Sequence, residues 1–225
     1  MVRVLGLKGG PRKAGNSAIM LQALIDGATR GGAACETVDA NTSGVLPCRG
    51  CLRCNLVGRC TLRDPAWKRL STGIAAADVL VVASPIYFHH LPGPLKTIFD
   101  RFRSFIRVEI EAHGLKHTPW RSWSKTFVLL LSMGSPQPEE AEPLVELFRF
   151  FTGIMGPGNR LVTVLGTRLA VAGQIRMPVD QLKELYAKLG LSPDLAEPDR
   201  GKNLEILERC VDLGERIALA DDLEI

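Results

Sequence analysis

Residues 2–17 read Val2-Arg-Val-Leu-Gly-Leu-Lys-Gly-Gly-Pro-Arg-Lys-Ala-Gly-Asn-Ser17, and their interpretation decides the fold. Val2 to Leu7 is a short apolar run of strand length. Residues 8–15 form a Gly- and Pro-punctuated turn. Leu21, Leu24, Ile25 and Ala28 then recur at i, i+3, i+4 and i+7, one face of a helix, which Gly31-Gly32 closes. A strand that passes through a glycine-rich turn into a helix is the opening unit of a parallel α/β sheet.

The same alternation continues along the chain. Residues 35–39 predict a second strand, Asp78 to Ala83 a third, Thr126 to Ser132 a fourth and Leu161 to Gly166 a fifth. Pro94 suits a first helical residue, with Leu95, Ile98, Phe99 and Phe102 as one apolar stripe. Further helices are expected over 140–151, 179–189 and 202–219. Strands three and four are uniformly apolar, as expected when helices cover both faces of a parallel sheet. The fold class is therefore α/β, a doubly wound five-stranded parallel sheet in a single domain over residues 1–225. Its core is expected over 1–175, a cysteine-bearing loop over 47–64 and C-terminal helices over 178–220.

The 225 residues carry a formal net charge of +4, 46% hydrophobic and 23% charged residues. That composition excludes a disordered or low-complexity chain. The mild positive charge lacks the dense basic patch of a nucleic-acid binder, so no nucleic-acid partner is expected. No run approaches the roughly 20 apolar residues of a membrane span. The first residues are too short and broken an apolar run for a signal peptide. A soluble cytoplasmic protein is expected, and there clustered cysteines point to metal, cluster or redox chemistry before a disulfide.

In such sheets, ligands bind beyond the carboxyl ends of the strands. In the first edge loop, Gly10-x4-Gly15-Asn16-Ser17 resembles a nucleoside-triphosphate loop, but Asn16 stands where that loop has lysine. A triphosphate is thereby disfavoured. A single phosphate needs only backbone amides, a few polar donors and a helix N-terminus, which Gly15, Asn16, Ser17 and Arg12 can supply. An ordinary capped turn is the alternative.

Gly10-Pro11-Arg12-x-x-Gly15-Asn16-Ser17 resembles the S-P-R-x-x-G-N-S phosphate loop of the flavodoxin-like FMN reductase superfamily, departing from it at Gly10. Ser84-Pro85-Ile86-Tyr87-Phe88 followed by Leu95-Lys96-x3-Asp100-Arg101 is similar to that family's s-P-x-Y and l-K-x3-D-R segments. The resemblance implies FMN, with Pro11, Arg12, Gly15, Asn16 and Ser17 at its phosphate. Pro85, Ile86, Tyr87 and Phe88 would line the ring, and Ser132 and Gly134 would form a second wall. His89 and His90 would either reach the flavin edge or form a solvated turn. The flavin is then the reactive centre, and no catalytic side chain is expected.

Cys48-x2-Cys51-x2-Cys54-x5-Cys60 is the second constellation. Three thiolates at two-residue gaps can wrap a cubane cluster, with the fourth closing the cage. Arg49, Arg53 and Arg59 would offset its negative charge. Structural zinc, a dithiol pair and free thiols are the alternatives. The motif looks like that of the iron–sulfur flavoprotein subfamily, which implies a [4Fe–4S] cluster near FMN. After Cys60 this chain has only Asp64 before Pro65, where relatives often show two adjacent acids. Cys35 and Cys210 are expected to be buried and inert.

Residues 101–125, basic and carrying Trp120 and Trp123, suggest a lid over the flavin edge or a subunit contact. The resemblance implies electron exchange with a redox partner such as ferredoxin or with NAD(P)H, a small-molecule acceptor, and a homodimer or homotetramer. A cluster-free NAD(P)H-dependent FMN or quinone reductase is the enzyme alternative. A flavodoxin-like binding module with structural zinc is the alternative of another class.

Overall fold

In the computed structural model, which describes residues 1–219, the chain runs in order through β1 (Arg3–Lys8), α1 (Asn16–Arg30), β2 (Ala34–Asp39), α2 (Cys54–Val57), α3 (Pro65–Ala76), β3 (Val79–Pro85) and α4 (Gly93–Arg101). It continues through β4 (Ile106–Glu111), β5 (Gly114–Pro119), β6 (Thr126–Ser132), α5 (Glu142–Met155), β7 (Arg160–Gly166), α6 (Val179–Lys188) and α7 (Ala196–Leu219). Residues 220–225, the tail of the domain expected over 1–225, lie outside the described residues. The main sheet has the order β2-β1-β3-β6-β7 with every pairing parallel. The expected five-stranded doubly wound sheet is thus present, and its strand order reverses between β1 and β3.

Period-two alternation sorts the strand side chains onto two faces. Leu5, Leu7, Leu80, Val82, Phe127, Leu129 and Leu131 meet Trp67 and Ile74 of α3, Leu95 and Ile98 of α4, and Phe148 and Phe151 of α5. On the other face, Val4, Val79, Val81, Val128, Leu130, Val162 and Val164 meet Met20 and Leu24 of α1 and Ile206, Cys210 and Leu213 of α7. Leu80, Val81, Phe127, Val128, Leu129 and Leu130 have no exposed surface, and burial of each such side chain contributes about 1.5–3 kcal/mol. That two-sided burial explains the uniformly apolar strands. Cys210 lies in this core as expected, whereas Cys35 on β2 is only half-buried.

Several elements depart from the expectations, the short α2 among them. Helix α3 was not read from the sequence; Asp64 caps it through its side chain, which accepts the Trp67 amide at 3.0 Å, and Pro65 opens it. The final helix begins at Ala196, six residues before the expected 202. Residues 106–119 form an antiparallel hairpin, β4 with β5. This hairpin is fastened to the cysteine segment: Asn55 of α2 donates to the Val108 carbonyl at 2.9 Å and accepts the Val108 amide at 2.7 Å.

Helices α1 and α7 cross with their backbones almost touching. A Cβ placed on Gly27 would collide with the Val211 carbonyl, and one on Gly214 with the Leu24 carbonyl. Only residues without side chains allow that approach. The contact fixes α1, and with it the loop at its N-terminus.

Candidate functional site

At the reversal point, the loops after β1, β3 and β6 enclose a cleft of about 280 Å3. Its walls include Pro11, Arg12, Gly15, Asn16 and Ser17 from the first loop, Pro85, Ile86 and Tyr87 from the third strand's end, and Ser132 and Gly134 from the sixth's. Those expected cofactor residues are therefore brought together. Phe88 is not among the lining residues and is completely exposed. It shares a tight turn with His89: Tyr87 and His90 exchange backbone hydrogen bonds of 3.0 Å, and both central residues have positive φ, 49° and 59°. His89 does not face the cleft either; its Nδ1 pairs with the Glu140 carbonyl at 2.9 Å.

The base of the cleft is the N-terminus of α1. Gly15 is its N-cap and offers no capping side chain, so the first-turn amides have no acceptor within the helix. These amides and the helix dipole make a site for an anion. Ser17 is 2% exposed and lines the cleft beside them. A Cβ at Gly10 would stand 3.2 Å from Pro85 Cδ. A side chain at this corner would need Pro85 to give by a few tenths of an ångström.

Asn16 has a different task from the donor role expected of its side chain. Its amide nitrogen donates to the carbonyls of Leu169 (3.2 Å) and Val171 (2.8 Å), and its oxygen accepts the Ile175 amide (3.1 Å). Arg12 Nη1 donates to the Ala170 carbonyl at 2.9 Å. The loop after β7 is thereby stitched to the phosphate-type loop, and it places Leu169 and Ala170 in the cleft wall. Sequence reasoning missed these two residues; the Gly166–Ile175 segment carried no motif that singled them out. Met133, also in the wall, lay between two expected residues.

Cys48, Cys51, Cys54 and Cys60 all line a second hollow of about 550 Å3, at the far end of α4. Cys48 and Cys51 are exposed, Cys54 and Cys60 half-buried. The segment turns through left-handed Gly50 and Gly58, and the Gly58 amide caps α2 on the Cys54 carbonyl at 3.0 Å. Arg49, Arg53, Arg63, Arg101 and Arg103 share the lining; Arg59 does not. Burial pushes the Cys54 thiol above its ordinary value, with Cys60, Cys48 and Cys51 adding repulsion and Arg103 opposing it. Among the described residues, no three His, Cys, Asp or Glu side chains form a group that could hold a metal ion. The donor set itself suits a soft metal centre: four thiols at one hollow, with cations beside them.

The residues sequence reasoning undervalued here are Asp64 and Arg101. Arg101 Nη1 donates to Asp64 Oδ2 at 2.7 Å, and both side chains are at most 2% exposed. Burial alone would raise the Asp64 pKa, but the Trp67 and Leu46 amides and the Arg101 guanidinium outweigh it and hold the carboxyl below the usual range. Residues 101–125, expected as a lid or a subunit contact, contribute nothing to the first cleft's lining; their hairpin packs beside the cysteine segment.

The model of a family described as NADPH-dependent FMN reductase matches residues 2–165. The chain belongs to that family. This FMN reductase family member is 26% identical over 136 residues to an iron–sulfur flavoprotein of Archaeoglobus fulgidus, covering 60% of this chain and 58% of that protein. An iron–sulfur flavoprotein of Methanosarcina thermophila is 31% identical over 100 residues, 44% of this chain and 52% of that protein. The chain thus spans little more than half the length of these curated relatives. In fold it is similar to an azoreductase of Bacillus anthracis (TM-score 0.64, 16% identity, 96% of this chain and all of that one). It is also similar to an NAD(P)H:quinone oxidoreductase of Methanothermobacter marburgensis (TM-score 0.63, 18% identity, 96% and 98%). No helix among the described residues is long and apolar enough to cross a membrane.

Proposed function

We propose that this FMN reductase family member is an FMN-dependent oxidoreductase of the iron–sulfur flavoprotein type, with residues 1–175 as its cofactor-bearing core. The Asn16 and Ser17 amides, the Ser17 hydroxyl and the positive end of α1 would hold the FMN phosphate. Arg12 adds positive charge beside it. Pro85, Ile86, Tyr87, Ser132 and Gly134 would line the ring, with Tyr87 supplying an aromatic surface. Cys48, Cys51, Cys54 and Cys60 would hold a [4Fe–4S] cluster, and the surrounding arginines would offset the charge of four thiolates. When bound, FMN accepts electrons in pairs and releases them singly, and the cluster carries them one at a time.

The observation that carries this reading is the shared hollow of the four cysteines, reached by the same helix that leaves the Tyr87 turn. The two archaeal relatives are named iron–sulfur flavoproteins, which agrees with it. Electrons would pass between NAD(P)H or a ferredoxin-like redox partner and a small acceptor, in a homodimer or homotetramer. The test is the absorption spectrum of protein purified without oxygen, with iron and acid-labile sulfide quantified. Flavin bands with iron and sulfide at cluster stoichiometry are expected.

A second reading, an NAD(P)H-dependent FMN or quinone reductase without a cluster, is favoured by the lack of a ready-made metal-holding group among the described residues. It predicts flavin bands with neither iron nor sulfide. Zinc without flavin would overturn both readings in favour of a binding module.

A further inference from the structure

Arg101 is 1% exposed, a costly place for a guanidinium unless every contact is used. It ends α4, and its side chain reaches three points of the cysteine segment. Nη1 donates to Asp64 Oδ2 at 2.7 Å and to the Leu46 carbonyl at 2.6 Å. Nη2 donates to Cys60 Sγ at 3.3 Å. The guanidinium carbon lies 5.0 Å from the centre of the Trp67 ring, and Nε is buried without a hydrogen-bond partner. Asp64 in turn accepts the Leu46 amide at 3.0 Å. The chain just before the first cysteine and just after the last is gathered at one side chain.

An ion pair that served only to close this segment would account for Nη1 and leave Nη2 unexplained. A protonated thiol is a weak acceptor, whereas a thiolate accepts a charge-assisted bond from a guanidinium. We propose that Arg101 is a positioning residue for the cluster: its Nη2–H···Sγ bond holds Cys60 toward the hollow and withdraws electron density from that ligand. The inference rests on the cluster reading above. Hydrogen bonds to ligand sulfurs make a cluster easier to reduce and slow its loss.

Arg101→Lys separates this role from a merely structural one. A lysine keeps the positive charge and one contact to Asp64 but lacks the planar fork that serves two partners at once. The wild-type protein is first assayed for iron and sulfide; finding none sinks the cluster reading, and this proposal with it. In a variant with wild-type circular dichroism and FMN content, the cluster's one-electron midpoint, followed by electron paramagnetic resonance in a mediated titration, is expected to move to more negative potential. Iron release to a chelator should be about tenfold faster. A folded Arg101→Lys protein with wild-type midpoint and wild-type iron release would overturn the proposal while leaving the cluster in place. Should that variant not fold, Asp64→Asn serves instead. Asp64 pairs with Nη1 while Cys60 takes Nη2, so iron release is expected to stay within about a factor of two of wild type, and a release as fast as that proposed for Arg101→Lys would place the effect in the ion pair and overturn the proposal.

Discussion

Asn16 and Ile175, 159 positions apart, are joined by a 3.1 Å hydrogen bond from the Ile175 amide to Asn16 Oδ1. With the two bonds from Asn16 to Leu169 and Val171, the first helical residue of the chain sets the height of a loop that comes after the last sheet strand. Asn16 therefore acts on the cleft through its far wall, and Ser17 acts on it directly.

Replacing the two residues should separate these actions. Asn16→Ala leaves the Ile175 amide buried without its acceptor, a cost of about 1–3 kcal/mol, so both the melting temperature and FMN affinity should fall. Ser17→Ala should weaken FMN by about 0.5–1.5 kcal/mol, up to roughly tenfold in Kd, with the apoprotein's melting temperature unchanged. Flavin fluorescence titration beside thermal denaturation of the apoprotein checks both. Equal behaviour of the two variants would contradict the assignment.

Tyr87 and Phe88 are neighbours with opposite surroundings, one lining the cleft and one wholly exposed. Tyr87→Ala is expected to raise the Kd for FMN at least several-fold, and Phe88→Ala to leave it within a factor of two. A large loss from Phe88→Ala would restore it to the cofactor set expected from the sequence.

The α1–α7 crossing tolerates no side chain at Gly27 or Gly214. Gly27→Ala should cost about 1–3 kcal/mol or more through overpacking against backbone, although alanine is the better helix former. Urea denaturation should show a lower midpoint with the slope preserved. An unchanged or raised midpoint would mean that the helices part freely.

On the alkaline side, burial raises the Cys210 thiol to about 12. The folded chain keeps a proton that the unfolded chain loses from about pH 9, so stability is full below that value and falls as pH rises toward 12. The slope is roughly 1.4 kcal/mol per pH unit for one group. Tyr186, raised to about 12 by burial and by its bond to Asp199, adds to the fall above pH 10. Cys210→Ala should flatten the profile between pH 9 and 10, as read from urea midpoints across pH.

Asp199 governs the acid side. Burial opposes its ionisation, but Arg168, at 2.7 and 2.8 Å, and the Tyr186 hydroxyl, at 2.7 Å, hold its pKa below the usual carboxylate value. Its contribution is present above about pH 4 and is lost as pH falls through the lowered pKa. Asp199→Asn should cost about 2–3 kcal/mol at neutral pH, reduced from a fully buried pair because Arg168 is partly exposed. The variant should also lose less stability than the wild type between pH 4 and 2.

Much of this architecture was legible in residue order. The runs Val79–Pro85 and Thr126–Ser132 are apolar on both faces because helices cover both, and that is visible without coordinates. Helix α3 is harder to see: Trp67, Leu70 and Ile74 do recur at i, i+3 and i+7 after the Asp64-Pro65 start signal, but three apolar positions with Gly73 among them make a thin stripe. The hairpin had its own signal in the alternation of Ile106, Val108 and Ile110, obscured by the surrounding basic residues. The cleft residues belong to local motifs and so could be picked out. Asn16's partners and Arg101's three contacts are separated by tens of positions, and no local pattern encodes such pairings.

Helix α4 gives the molecule an internal gauge. It leaves the Tyr87 turn through buried Leu91 and Pro92 and ends at Arg101. Its nine residues make a rod of about 14 Å. The interval between the cleft and the Arg101–Cys60 corner of the cysteine hollow is thus set by peptide geometry.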